Sequence, residues 1–215
     1  MTRRFYDLTF GPSVLEQQAC MGSRAAYAMA QSGGSDPTAL MTRNETTFLA
    51  ARDSFYLASI TQKGWPYVQH RGGAPGFVRE TAAGEIGWAE FVGNRQYISA
   101  GNVAVDDRVA MIFVDYPNQQ RLKILGHMTL HEPAARPDLA RLLVVDGYRG
   151  HVERFILVKV EAFDWNCPQH IVPRFNLQEL EQILTPLHAR IAELEAKLKV
   201  SASDPSASQK ARPAS

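Results

Sequence analysis

Four stretches of the chain combine arginine, lysine or amide side chains with glycines or a helix-start signal, a pattern suited to gripping an anion. The first, "YVQHRGG", ends a β-rich run in Gln69, His70, Arg71, Gly72 and Gly73. A planar guanidinium offers two parallel donors to a phosphate or carboxylate. The second, "WAEFVGNRQYIS", runs from Trp88, Ala89 and Glu90 into Asn94, Arg95, Gln96 and Ser99. Its composition predicts a strand end followed by a helix with Asn94 as N-cap. Arg95 and Gln96 would then lie in the first turn, with Ser99 on the same face as Arg95. Free N–H groups and partial positive charge at such a start favour an anion. The third, "QQRLKILGH", places Arg121 and Lys123 on one side of a strand. The fourth, "DWNCPQHIVPRF", is irregular and carries Trp165, Asn166, Cys167, His170 and Arg174. Taken singly, each stretch also reads as solvated cations beside a turn, and a strand histidine as a hydrogen-bonded structural residue. The six histidines show no metal-ligand spacing, and the chain has no H-E-x-x-H, paired-cysteine, Walker or G-x-S-x-G motif. No metal site is expected and no catalytic residue is assigned.

The elements that must position these residues are legible from periodicity. Strands are predicted over Ser54 to Ile60, over "YVQHRGG" as its hairpin partner, over Glu85 to Gly93, over the mostly apolar Arg108 to Tyr116, over "RLKILGHMTLHE", which alternates for most of its length, and over "VERFILVKVEAFDW" as the longest. The turn "TQKGWP" carries Gly64 and Pro66. Six strands with short connections and little βα alternation argue for a closed barrel over a doubly wound sheet. Helices are expected in the N-terminal "GPSVLEQQACMGSRAAYAMAQSGG", at "NETTFLAARDS" with Asn44 as N-cap, and at "RPDLARLLVVDGY" with Pro137 near its start. In "NLQELEQILTPLHARIAELEAKLKV", Leu177, Leu180, Leu184, Leu187, Ile191, Leu194 and Leu198 recur at steps of three and four. That is a narrow apolar seam on a long helix, kinked at Pro186, and it can pack on the chain's own barrel or on a partner subunit. The expected organisation is a helical extension over 1–45, a barrel domain over 46–175, the amphipathic helix over 176–199 and a Ser/Ala/Pro-rich disordered tail over 200–215.

Bulk composition excludes several classes. The chain has 215 residues, 45% of them hydrophobic, and a formal net charge of +1, which suits a domain with a sizeable core and gives no basic footprint for nucleic acid. No apolar run is long enough to span a membrane, and the N-terminus lacks the apolar segment of a secretory signal. Cys20 and Cys167, far apart in sequence, read as reduced thiols, so a cytoplasmic protein is expected.

In their order along the chain, the barrel strand with Arg71, the strand and helix start with Asn94-Arg95-Gln96 and Ser99, the strand with Arg121-x-Lys123, and the late Trp165–Arg174 run resemble the pyridoxamine 5′-phosphate oxidase-like, FMN-binding split-barrel family. The likeness spans roughly residues 48–175 and is nearest to the branch described as predicted flavin-nucleotide-binding proteins. It implies a mostly β (α+β), six-stranded split β-barrel of the FMN-binding type, with peripheral helices and a long C-terminal helix. It implies a homodimer with FMN at its interface, acting as an oxidoreductase fed by a reduced nicotinamide, or as a non-catalytic flavin-binding, storage or redox-sensing module. A deazaflavin or haem is a third reading of the same barrel. The cofactor residues it implies are Gln69, His70, Arg71, Gly72, Trp88, Ala89, Glu90, Asn94, Arg95, Gln96, Ser99, Arg121, Lys123, Trp165, Asn166 and Arg174. Arg121 would face the flavin from the partner subunit, and Trp88 or Trp165 would cover the ring. The triplet Asn94-Arg95-Gln96 lacks the lysine of the family's phosphate motif, no lysine follows Arg71, and His170 and Arg174 stand in the reverse of the family's Arg-x-His order. Pyridoxamine 5′-phosphate is therefore not the expected substrate.

Overall fold

The computed structural model describes residues 3–32, 41–165 and 169–203. The chain forms two compact units, Met1–Ile171 and Val172–Ser215. In the first, helices α1 (Arg3–Thr9), α2 (Pro12–Cys20), α3 (Arg24–Ser32) and α4 (Arg43–Ala50) precede the strands. Strands β1 (Ser54–Ile60), β2 (Pro66–Gly72), β3 (Arg79–Ala82) and β4 (Glu85–Phe91) are followed by α5 (Ile98–Val103), β5 (Arg108–Asp115), β6 (Gln120–His131), α6 (Pro137–Leu143) and β7 (Val152–Trp165). The second unit contains α7 (Leu177–Ser203).

The seven strands form one antiparallel sheet in the order β2-β1-β5-β6-β7-β4-β3. The count exceeds the expected six because β3, "RETA", has four residues and no apolar alternation to announce it. Hairpin β1–β2 forms because Thr61 and Gly64 close its turn: the Thr61 N–H donates to Trp65 O at 2.9 Å, and Gly64 holds φ +80°, which glycine adopts freely.

Although β1 and β4 are four places apart in the sheet, their side chains meet. Phe55 stacks on Phe113 at 4.7 Å and lies edge-on to Trp88 at 5.0 Å. The sheet therefore rolls around its core into a barrel, left open between the outermost strands β2 and β3. Phe55, Leu57, Ile86, Trp88, Phe113, Leu122, Ile124, Ile156 and Val158 fill the interior, each no more than 2% exposed. Each large apolar side chain so placed stabilises the fold by about 1.5–3 kcal/mol. The opposite face of β4 and β7 is covered by α6, where Ala89, Phe155 and Leu157 pack on Leu139 and Leu143.

Helix α4 is capped by Thr42 rather than Asn44. Thr42 and Glu45 form a reciprocal capping box, which gains a second orphan N–H that Asn44 would leave unpaired. Glu45 also accepts from Trp165 Nε1 at 2.7 Å, pinning α4 to the end of β7. Burial pushes the Glu45 carboxyl up, but hydrogen bonds from Thr42 and Trp165 outweigh it and the net shift is downward. No helix among the described residues is long and apolar enough to cross a membrane.

Candidate functional site

The opening of the barrel carries a polar cleft of about 200 Å³. Alternation along β2 decides what enters it. Gln69 and Arg71 point into the cleft, whereas Val68 and His70 point outward, His70 lying edge-on to Tyr56 at 5.5 Å. The glycines after Arg71 serve packing: a Cβ on Gly73 would fall 2.6 Å from the Phe77 ring, and the Gly73 N–H donates to Asp53 O. The "HRGG" motif thus divides into an outward histidine, an inward arginine and a glycine that admits a neighbouring ring. Gly72 sits beside the His70 ring and does not line the cleft.

Across the gap, β4 presents Glu90. Its carboxylate forms ion pairs with Arg71, 2.5 Å from Nη1, and with Arg154, 3.1 Å from Nε. Arg154 in turn reaches Glu153 at 3.2 Å and covers the Tyr97 ring at 5.0 Å. Tyr97 donates its hydroxyl hydrogen to Glu153 at 2.6 Å. That hydrogen bond holds the Glu153 carboxyl below the usual range despite partial burial, with Arg154 and Arg95 adding to the effect. Ser99 donates to Gln69 Oε1 at 2.9 Å, a second link between β2 and the far wall. The formal charge of the cleft is three guanidiniums against two carboxylates. The Arg71 Nε is buried with no hydrogen-bond partner, a donor available to an incoming acceptor.

The segment between β4 and α5 departs from expectation. Asn94 does not cap a helix and Arg95 and Gln96 are not in its first turn. Arg95 and Tyr97 hold φ +59° and +55°, left-handed values that interrupt a helix, and α5 starts only at Ile98 with Tyr97 as N-cap. Asn94 instead accepts from the Gln96 N–H at 3.1 Å, an Asx turn that competes with the helix. Ser99 and Arg95 therefore do not share a helical face, yet both still line the cleft. Left-handed backbone at two non-glycine residues costs roughly 1–3 kcal/mol each and concentrates at functional sites.

The structure brings together Gln69, Arg71, Glu90, Asn94, Arg95, Gln96 and Ser99. It places the other expected residues elsewhere. Trp88 is 2% exposed in the barrel core, so it cannot cover a ring in the cleft. Ala89 packs beneath α6. Arg121 and Lys123 are on the outer face of β6, where the register aligns His70, Tyr56, Ile112 and Lys123 across four strands. Trp165 is edge-on to Phe48 at 4.7 Å and bonded to Glu45. Arg174 belongs to the second unit, and Asn166 lies outside the described residues. Sequence reading missed Arg154, Glu153 and Tyr97. The first two lie at the start of a strand expected to be core, where a Glu-Arg pair was the available signal.

No protein-family profile matches the chain and no curated protein does. Among solved structures, it is similar to HupZ from Group A Streptococcus at 16% identity, over 63% of this chain and 100% of that one, with a TM-score of 0.45. A candidate pyridoxamine 5′-phosphate oxidase from Lactobacillus delbrueckii matches at 17% identity, over 58% and 93%, with a TM-score of 0.43. A protein from Clostridium acetobutylicum, described as related to general stress protein 26 and of the pyridoxinephosphate oxidase family, matches at 11% identity, over 63% and 94%, with a TM-score of 0.42. Structures bearing the oxidase name to which the sequence resemblance points are thus among those this chain is similar to.

Proposed function

We propose that the protein binds FMN at the open side of the barrel and acts as a flavin-dependent oxidoreductase in a homodimer. The observation that carries this reading is the convergence of Arg71 and Arg95, from separate elements, on one cleft with Ser99, Gln69 and Asn94. The donor set fits a phosphate: two guanidiniums offer planar donors, and the buried Arg71 Nε has no hydrogen-bond partner among the described residues. At about 200 Å³ the cleft is smaller than sites that enclose a whole small-molecule ligand, roughly 300–1,000 Å³. It suits the phosphate end, and the flat ring needs a wall from outside. The outer face of β1, β2, β5 and β6 supplies a surface for a second protomer, with Tyr56, Ile60 and Val68 exposed by 39%, 38% and 60%. Arg121 and Lys123 rim that face and would meet the ring from the partner, where a cation favours anionic reduced flavin. Bound FMN would supply hydride and electron transfer; the protein's residues position it and exclude competing charge.

Neither histidine nor cysteine lines the cleft among the described residues. No cleft side chain other than a flavin partner is thus suited to proton transfer near neutral pH, which keeps the non-catalytic module as the second reading. Purified protein should be yellow, with FMN as the released chromophore. Colourless protein that also fails to take up added FMN would refute both readings. Steady oxidation of a reduced nicotinamide separates enzyme from module.

A further inference from the structure

The long C-terminal helix is a candidate interface of its own, independent of any flavin. Helix α7 starts at a fixed point: Asn176 and Glu179 cap each other, with the Asn176 N–H donating to Glu179 at 2.8 Å and the Glu179 N–H to Asn176 Oδ1 at 2.9 Å. From Leu177 six of its large apolar residues repeat at steps of three and four, with Ile183 outside the series. Leu177, Leu184 and Ile191 fall at heptad position a, and Leu180, Leu187 and Leu194 at d. These six are 38–85% exposed in the single chain. A period of 3.5 drifts from a straight helix by about 20° per heptad, and holding it over three heptads is the mark of a supercoiled seam rather than of packing on a globular surface.

The flanking positions identify the occupant. Position g holds Ile183, Arg190 and Lys197, and position e holds Glu181, His188 and Glu195. Two antiparallel copies that layer all six seam residues would set Arg190 against Ile183 and leave it with no carboxylate across the seam. Two parallel copies in register set Arg190 beside Glu195 of the other chain, twice by symmetry, and leucine throughout d suits two strands. Within one chain Arg190 pairs with Glu193 at 2.5 Å, an exposed pair of the kind worth little. Pro186 falls at position c, outside the seam, and the helix continues through it.

We infer that α7 forms a parallel, in-register two-stranded coiled coil with a second copy of this chain. The test uses the full-length chain with Cys20 and Cys167 replaced by serine. A single cysteine is then introduced by Leu194→Cys, at d, or by Ala189→Cys, at the outward position f. Under mild oxidation Leu194→Cys should form covalent dimer at least about tenfold faster than Ala189→Cys, because the coil raises the local thiol concentration. Adding Arg190→Glu should slow that cross-linking, and adding Glu195→Arg as well should restore it. Equal rates at the two positions overturn the inference. So does preferential joining of Leu180→Cys to Leu194→Cys in a mixture, the signature of antiparallel helices. The readout contains no flavin, so its failure leaves the FMN reading standing.

Discussion

Glu90 holds two guanidiniums at once, and Glu90→Gln separates the stability of the cleft from its affinity for an anion. The carboxylate lies 2.5 Å from Arg71 and 3.1 Å from Arg154, with all three side chains only 12–18% exposed. Removing one partner of a fully buried pair costs about 3–5 kcal/mol, because the remaining charge is stranded. Here two charges are stranded and then face each other, but some water reaches them, and about 2–3 kcal/mol is a reasonable expectation. For a domain of this size that lowers Tm by about 5–10 °C. Binding should move the other way. Both guanidiniums become free for a phosphate and a competing negative charge disappears, so FMN should bind about tenfold more tightly, equivalent to one charge-assisted hydrogen bond. Thermal unfolding with and without FMN, together with a flavin fluorescence titration, reads both quantities. Saturating FMN should return much of the lost Tm. A variant as stable as wild type would show that the ion-pair cluster is not formed. A destabilised variant that binds FMN more weakly would mean that Glu90, not the arginines, faces the ligand.

Arg95→Gly should weaken FMN by about 10- to 100-fold through loss of a charge-assisted contact, leave riboflavin affinity unchanged because riboflavin lacks the phosphate, and relieve the left-handed strain at φ +59°; equal losses for both flavins would contradict it. Gly126→Ala should destabilise the barrel by about 2–4 kcal/mol in urea unfolding, since its Cβ would fall 2.5 Å from the Lys159 carbonyl, an overpacking that a backbone atom cannot relieve. The lowered pKa of Glu45 predicts a stability contribution that is present above the usual carboxylate value of 4.5 and lost as pH falls through the lower folded value. Glu45→Gln should therefore be less stable at neutral pH and show a flatter acid limb; a limb as steep as wild type would remove Glu45 from that transition. Ending the chain at Asn176 should weaken self-association measured by sedimentation, whereas an unchanged mass at low concentration would leave the barrel face as the dimer contact.

What could be read along the chain was whatever depends on neighbours in sequence. The strands β1 and β7 were read at their observed bounds, Ser54–Ile60 and Val152–Trp165, because alternation in the first and a β-branched and aromatic apolar run in the second are written locally. The heptad of α7 was legible for the same reason. The four-residue β3 was not, since its pairing with β4 rather than its own composition makes it a strand. Which of two adjacent residues enters the cleft was also undecidable locally. His70 and Arg71 are equally polar, and only the register of β2 turns one outward and the other toward Glu90. Trp88 looked available to a flat ligand until the rolled sheet enclosed it against Phe55. Arg154, about sixty residues from Glu90 in sequence, joined the site through the pairing of β4 with β7. Local chemistry determines which segments become strand or helix; the closing of the sheet, whose contacts link distant residues, decides which charges share the low-dielectric cleft where they act.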